Sequence, residues 1–180
     1  MELLERVEPM GEHPVRQGIG YWGFGGPDQR PRPQALVRVG WRRGERSRIA
    51  AYLQNGHRYL EYMGGAICRF RDCRRGLGSA DLTDGEWVWP EQLDHYIIEH
   101  SVCLPDEFVA SMASREWQVP STIRPLDPNT QIENLFHCDF WLKWAAEYEA
   151  EYSRTDPPTG IVDWLPSRLH RRRWWQLWAR

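Results

Sequence analysis

The sequence predicts an α+β fold: a small antiparallel sheet flanked by short helices, with a C-terminal helical appendage. Three observations lead there. The step Asp84-Gly85 sits between two β-prone runs, 80–83 and 86–89, which is the strongest short-range hairpin signal. Leu93, Tyr96, Ile97 and His100 then fall on one helical face at i, i+3, i+4 and i+7. Further on, Ile132, Phe136, Phe140, Trp144 and Tyr148 recur at every fourth position, the pattern of one longer helix.

Residues 1–40 are rich in Gly, Pro and Arg and show no helical period, so they read as an extended arm with at most a short strand near 35–39. Gly18-Ile19-Gly20-Tyr21-Trp22-Gly23 matches GxGxxG. No strand pattern precedes it, and Gly25-Gly26-Pro27 blocks a helix after it, so the match is rejected as a dinucleotide site. Tyr21, Trp22 and Phe24 are expected to pack on the core instead.

Residues 41–120 read as the α+β core. A helix over 45–54 carries the apolar pair Ile49 and Leu53 with Tyr52, and Asn55-Gly56 stops it. A strand follows over 57–63, with a continuation over 66–70. Asp84-Gly85 is expected to form a two-residue type I′ turn, which needs positive φ at both central residues. Pro90 is placed at the first position of a helix reaching His100, where a missing N–H is harmless. Pro105 opens a further helix to 113, with Asp106 and Glu107 in its first turn and Phe108, Val109 and Met112 on its buried face. Trp87 and Trp89 alternate on one strand face and are expected to pack on Leu93 and Ile97, with Tyr96 at the margin.

Residues 121–180 read as a helical region. The spacing of Thr130 and Glu133 is that of a capping box and opens a helix over 130–151. Asp156-Pro157-Pro158-Thr159-Gly160 ends it, and a last segment covers 164–180.

Composition narrows the function. A chain of 180 residues with 41% hydrophobic and 27% charged residues is long enough for a core without disulfides. The net charge of −2 gives no global attraction to nucleic acid or membrane. No apolar run approaches the ~18 residues of a membrane span, and the N-terminus lacks the apolar region of a signal peptide, so a cytoplasmic protein is expected. Four cysteines in such a chain are free thiols or metal ligands rather than disulfides. The eleven tryptophans point to an aromatic core, a binding surface, or both.

The cysteines supply the main candidate site. Cys68 and Cys73 form C-x4-C, and His95 and His100 form H-x4-H, with 21 residues between Cys73 and His95. Zinc takes four tetrahedral N/S ligands, often two thiolates from a turn and two imidazoles from a helix end. The two histidines are about 140° apart on an ideal helix, so both reach one ion only if His100 lies in a tightened last turn. The competing reading makes His100 a core histidine, Cys68 a small buried hydrophobe and Cys73 an exposed thiol. A site with four protein ligands is closed, hence structural.

The run from Ala66 to Val109 holds CRF, then Cys73, then DLTDG-x-WVWP, then L-x-HYI-x-x-H-x-V-x-LP-x-EFV. In these residues the chain resembles a small, largely uncharacterised bacterial family with the pattern CRF-x-C-G, DLTDG-x-WVWPEGLAHYV and H-x-V-x-LP-x-EFV. The resemblance covers residues 41–110 and implies no activity. This chain departs from the pattern by one extra residue before Cys73, by Arg74 after it, and by Gln92 where the family has Gly; Gln92 is expected to firm up the following helix.

Catalytic signatures are sparse. Nucleophile-elbow, Walker and HExxH patterns are absent. Cys103 with His57 is a conceivable dyad that nothing demands. Asp84 suits the turn and Glu91 a helix start, while Asp81 has no comparable structural reading. No catalytic residue is assigned. Arg69, Arg71, Arg74 and Arg75 crowd one loop, and Arg171 and Arg172 stand beside Trp174, Trp175 and Trp178 near the C-terminus. Arg with aromatic rings suits protein hot spots and single-stranded nucleic acid alike. The expected function is a non-catalytic accessory or protein-binding domain with one structural zinc. The partner is expected to be another protein, docking on Arg171, Arg172, Trp174, Trp175 and Trp178. An RNA- or DNA-binding protein is the alternative, and a small hydrolase the third reading.

Overall fold

The computed structural model describes residues 15–23, 29–125 and 135–155, with side chains to residue 152. The chain divides into two compact units, 1–149 and 150–180. Of the second, only the helical residues 150–155 are described. The capping-box segment at 130–133 and the Arg/Trp segment at 164–180 lie outside the described residues.

The first unit is α+β. Its elements run β1 (Arg16–Gly18), a 3-10 turn (Pro33–Leu36), α1 (Arg46–Gln54), β2 (His57–Glu61), β3 (Ala80–Thr83), β4 (Trp87–Pro90), α2 (Leu93–His100), α3 (Asp106–Ser114), β5 (Phe136–His137) and the start of α4 (Asp139–Thr155). The sheet order is β2-β3-β4-β1-β5. Strands β2, β3 and β4 are antiparallel, as expected for 57–89, with an irregularity between Arg58 and Leu60.

The sheet is nevertheless mixed. β1 pairs in parallel with β4 on one side and β5 on the other. The arm therefore contributes a strand, and the Gly18–Gly23 stretch does follow one; the next described element after it is the 3-10 turn over Pro33–Leu36 rather than an α-helix. The short strand expected near 35–39 is a 3-10 turn over Pro33–Leu36, with Val37 making a single bridge to Val102. Phe136 is not helical: it pairs with Arg16 and stacks on Tyr21, ring centroids 5.1 Å apart. The helix starts at Asp139, and its fully buried residues are Trp141 and Ala145, one position beyond the stripe through Phe140 and Trp144.

The hairpin also differs in detail. Three residues, Asp84, Gly85 and Glu86, connect β3 to β4. Only Gly85 among them has positive φ, at 98°, which excludes type I′. The Asp84 carboxylate shapes the turn instead: Oδ1 accepts the N–H of Glu86 at 2.9 Å and of Trp87 at 2.7 Å.

Trp87, Trp89, Leu93 and Ile97 all lie in one buried cluster. Tyr96 is buried with them rather than marginal, its ring 5.1 Å from that of Trp22. The Trp89 indole N–H is satisfied by the carbonyl of Leu53 at 3.1 Å.

Pro90 closes β4 and does not open α2, which begins at Leu93 after a left-handed Gln92 with φ 63°. Gln92 thus sits outside the helix, in a backbone region that costs a side-chain-bearing residue roughly 1–2 kcal/mol. Its Oε1 is also buried with no hydrogen-bond partner. Gln92→Gly is therefore expected to stabilise the protein by about 1 kcal/mol, raising the melting temperature by about 2–4 °C. A thermal melt in which the substitution lowers the midpoint would contradict this account.

Candidate metal centre

The Cys-bearing segment is an excursion between β2 and β3. Its two arms are tied by an antiparallel bridge between Ile67 and Gly76 and by backbone bonds from Cys68 N to Arg75 O at 3.0 Å and Leu77 N to Ala66 O at 2.8 Å. At the tip, Cys73 N donates to Phe70 O at 3.0 Å, a tight turn that brings the two thiols to the same side. The histidines come from α2. His100 is its last residue; Ser101 then adopts φ 56°, and Val102 N bonds to Tyr96 O at 3.0 Å. This wound-down terminus meets the condition set by the five-residue spacing, and both rings face one point.

Four ligand atoms converge there. Cys68 Sγ lies 3.3 Å from His100 Nε2, Cys73 Sγ 3.4 Å from His95 Nε2, and the two Nε2 atoms are 3.2 Å apart. All four lie within 4.8 Å of one another. A tetrahedral zinc with bonds of about 2.3 Å to sulfur and about 2.0–2.1 Å to nitrogen sets its ligands about 3.6 Å (S to N) and about 3.3–3.4 Å (N to N) apart. The three spacings of 3.2–3.4 Å come within about 0.3 Å of those edges. Two Nε2 atoms facing each other leave one hydrogen bond at most, whereas a cation uses both lone pairs.

The surroundings favour that use. Burial lowers the affinity of His95 and His100 for protons, aided by Arg75 at His95 and by His95 at His100, which keeps the imidazoles in their metal-binding form. Burial pushes the Cys68 thiol up, while the amide of Phe70, 3.5 Å from the sulfur, opposes this. Phe70 stacks flat on His100, centroids 3.9 Å apart and planes at 5°. The Tyr96 hydroxyl accepts the amide of Arg69 at 3.1 Å, joining α2 to the Cys loop. Phe70 and Tyr96 both belong to the quoted motifs, but neither carries a metal-ligand signature, so spacing alone does not reveal them.

The other candidates fall elsewhere. His57 contacts the carbonyl of Pro120 at 2.7 Å and Cys103 that of Leu36 at 3.1 Å, so the two form no dyad. Arg171, Arg172, Trp174, Trp175 and Trp178 lie outside the described residues. Asp84 does more than the sequence indicates, binding Tyr52 and Arg115 as well as the turn. No helix among the described residues is long and apolar enough to cross a membrane. No protein-family model, curated protein or solved structure matches the chain.

Proposed function

We propose that Cys68, Cys73, His95 and His100 hold one structural zinc and that the chain is a zinc-stabilised, non-catalytic accessory or protein-binding domain. The convergence of two sulfurs and two Nε2 atoms within 4.8 Å carries the metal reading. The donor set is that of a closed Cys2His2 site, which leaves no position for a substrate and supports a structural role. Membership of the bacterial family with the CRF and DLTDG-x-WVWP motifs belongs to the same reading, since both motifs lie at this centre or in the hairpin beside it. The protein-binding role rests on the sequence: Arg171, Arg172, Trp174, Trp175 and Trp178 combine the residue types that dominate interface hot spots.

One observation favours the nucleic-acid alternative: Arg71, Arg74 and Arg75 are exposed around the Cys loop. Its signature is salt-dependent retention on heparin, because phosphate contacts release counterions. The decisive measurement for the metal is elemental analysis of the protein purified without added metal or affinity-column nickel. About one zinc per chain is expected. Protein that purifies folded and metal-free refutes the centre.

A further inference from the structure

A second feature lies beside the candidate metal centre and shares with it the 66–78 excursion, which forms part of its wall. A cleft of about 520 Å³ opens between the loop 62–67, the start of β3 and the 20–22 segment. Asp81, on β3, lines this cleft although only 2% of its surface is exposed. The Tyr62 hydroxyl donates to its carboxylate at 2.5 Å. Among the described residues no cationic side chain lies within ion-pairing distance of it, although Arg30 and Arg69 also line the cleft. The Tyr21 hydroxyl is buried in the same cleft beside the Asp81 carboxylate, and no donor reaches its oxygen. Trp22 and Tyr96 supply aromatic wall. Glu91 adds a second carboxylate, accepting the amide of Ser79 at 3.1 Å.

We propose that this cleft binds a small organic cation, a primary amine or guanidinium, with Asp81 as its counter-ion. A buried carboxylate is costly unless paired with a cation, and Asp81 has only neutral hydroxyls, those of Tyr62 and Tyr21, beside it. An ammonium or guanidinium group brings the missing positive charge and spare N–H donors for the Tyr21 hydroxyl oxygen. Aromatic faces on Tyr21, Trp22 and Tyr62 suit a cation in a partly desolvated site. Burial also raises the proton affinity of Asp81, the response expected of a carboxylate left without its cation. Gly78, at φ 71°, keeps one wall in place: a Cβ there would collide with the Glu91 carboxylate.

The test uses the full chain as purified, with its metal content measured. Tryptamine and agmatine are titrated by calorimetry and by thermal shift, with indole-3-propionate as the anionic control. At least one amine is expected to bind saturably with a sub-millimolar Kd, and the carboxylate is not. Asp81→Asn keeps the shape but removes the charge, and is expected to weaken amine binding at least about tenfold. Tyr62→Phe, which removes the hydroxyl from a half-exposed ring, is expected to weaken it several-fold. The proposal fails if neither amine binds, if the carboxylate binds as tightly, or if binding survives both substitutions. Zinc content unchanged in both variants separates this result from the metal reading.

Discussion

Stripping the metal with a strong chelator, or replacing Cys68 or His100 with Ser or Ala, is expected to release the 66–78 excursion and to lower the melting temperature by on the order of 10 °C. Most of that excursion is exposed, and only Cys68 and Leu77 in it are buried. Hydrophobic burial is too small to fix its geometry, so on the proposed reading a four-ligand centre would be its main attachment to α2. Structural zinc contributes about 10–16 kcal/mol to the folding of isolated finger peptides. Here β3, β4 and α2 have their own core around Trp89, Leu93 and Ile97, so the loss is smaller. A loss of about 4 kcal/mol gives the quoted shift at about 2–4 °C per kcal/mol. Hydrogen exchange is expected to rise first at Cys68, Cys73 and Leu77, whose amides hold the excursion closed, while β3 and β4 stay protected. Cys138→Ser, at a cysteine outside the cluster, is the control and retains its metal. A metal-free protein with the same melting curve and exchange pattern eliminates the centre.

The parts of this fold that were legible in the sequence are those whose signal is local. Helices α1 and α3 announce themselves through apolar spacing and a stop or an acidic first turn, and β3 and β4 through the Asp84-Gly85 step. The Cys/His cluster was legible for a related reason: paired candidate ligands at x4 spacing, one pair on a turn and one at a helix end, are a local pattern even though the pairs are distant. What escaped is non-local. β1 and β5 are three and two residues long, and they exist because Arg16 finds Phe136 far along the chain. No periodicity survives in so few residues. Gln92 misled because its left-handed backbone is set by the junction between β4 and α2, not by its own propensity. The cleft was half legible. Asp81 stood out for lacking a structural reading, but the hydroxyls and rings around it come from segments near 21, 62 and 96, whose convergence only the folded chain reveals.

Asp84 carries the second large effect. Its side chain is completely buried and makes four bonds: to the amides of Glu86 and Trp87, to the Tyr52 hydroxyl at 2.7 Å and to Arg115 at 2.8 Å. Arg115 continues outward to Glu86 at 2.6 Å. One carboxylate therefore joins the β3–β4 turn to α1 through Tyr52 and to the residue that ends α3 through Arg115. Removing the buried carboxylate leaves two turn amides and the Tyr52 hydroxyl without their acceptor and takes from Arg115, itself a quarter exposed, one of its two carboxylates; breaking such a network typically costs about 3–5 kcal/mol. The exposed partner Glu86 contributes less, about 0–1 kcal/mol. Asp84→Ala is thus expected to destabilise the protein by about 3–5 kcal/mol in denaturant unfolding, and Glu86→Ala by no more than about 1 kcal/mol. The cycle with Arg115 separates the causes. If the ion pair dominates, Asp84→Ala in an Arg115→Ala background costs appreciably less than in the wild type, because no buried charge is then stranded. If the turn amides dominate, the cost is the same in both backgrounds, since Glu86 N and Trp87 N lose their acceptor either way. The two Oδ1 bonds are local and survive loss of Arg115, whereas Tyr52 and Arg115 share Oδ2. A coupling of at least about 1 kcal/mol between positions 84 and 115 is therefore expected, and additive costs would show that the turn alone accounts for the burial of Asp84.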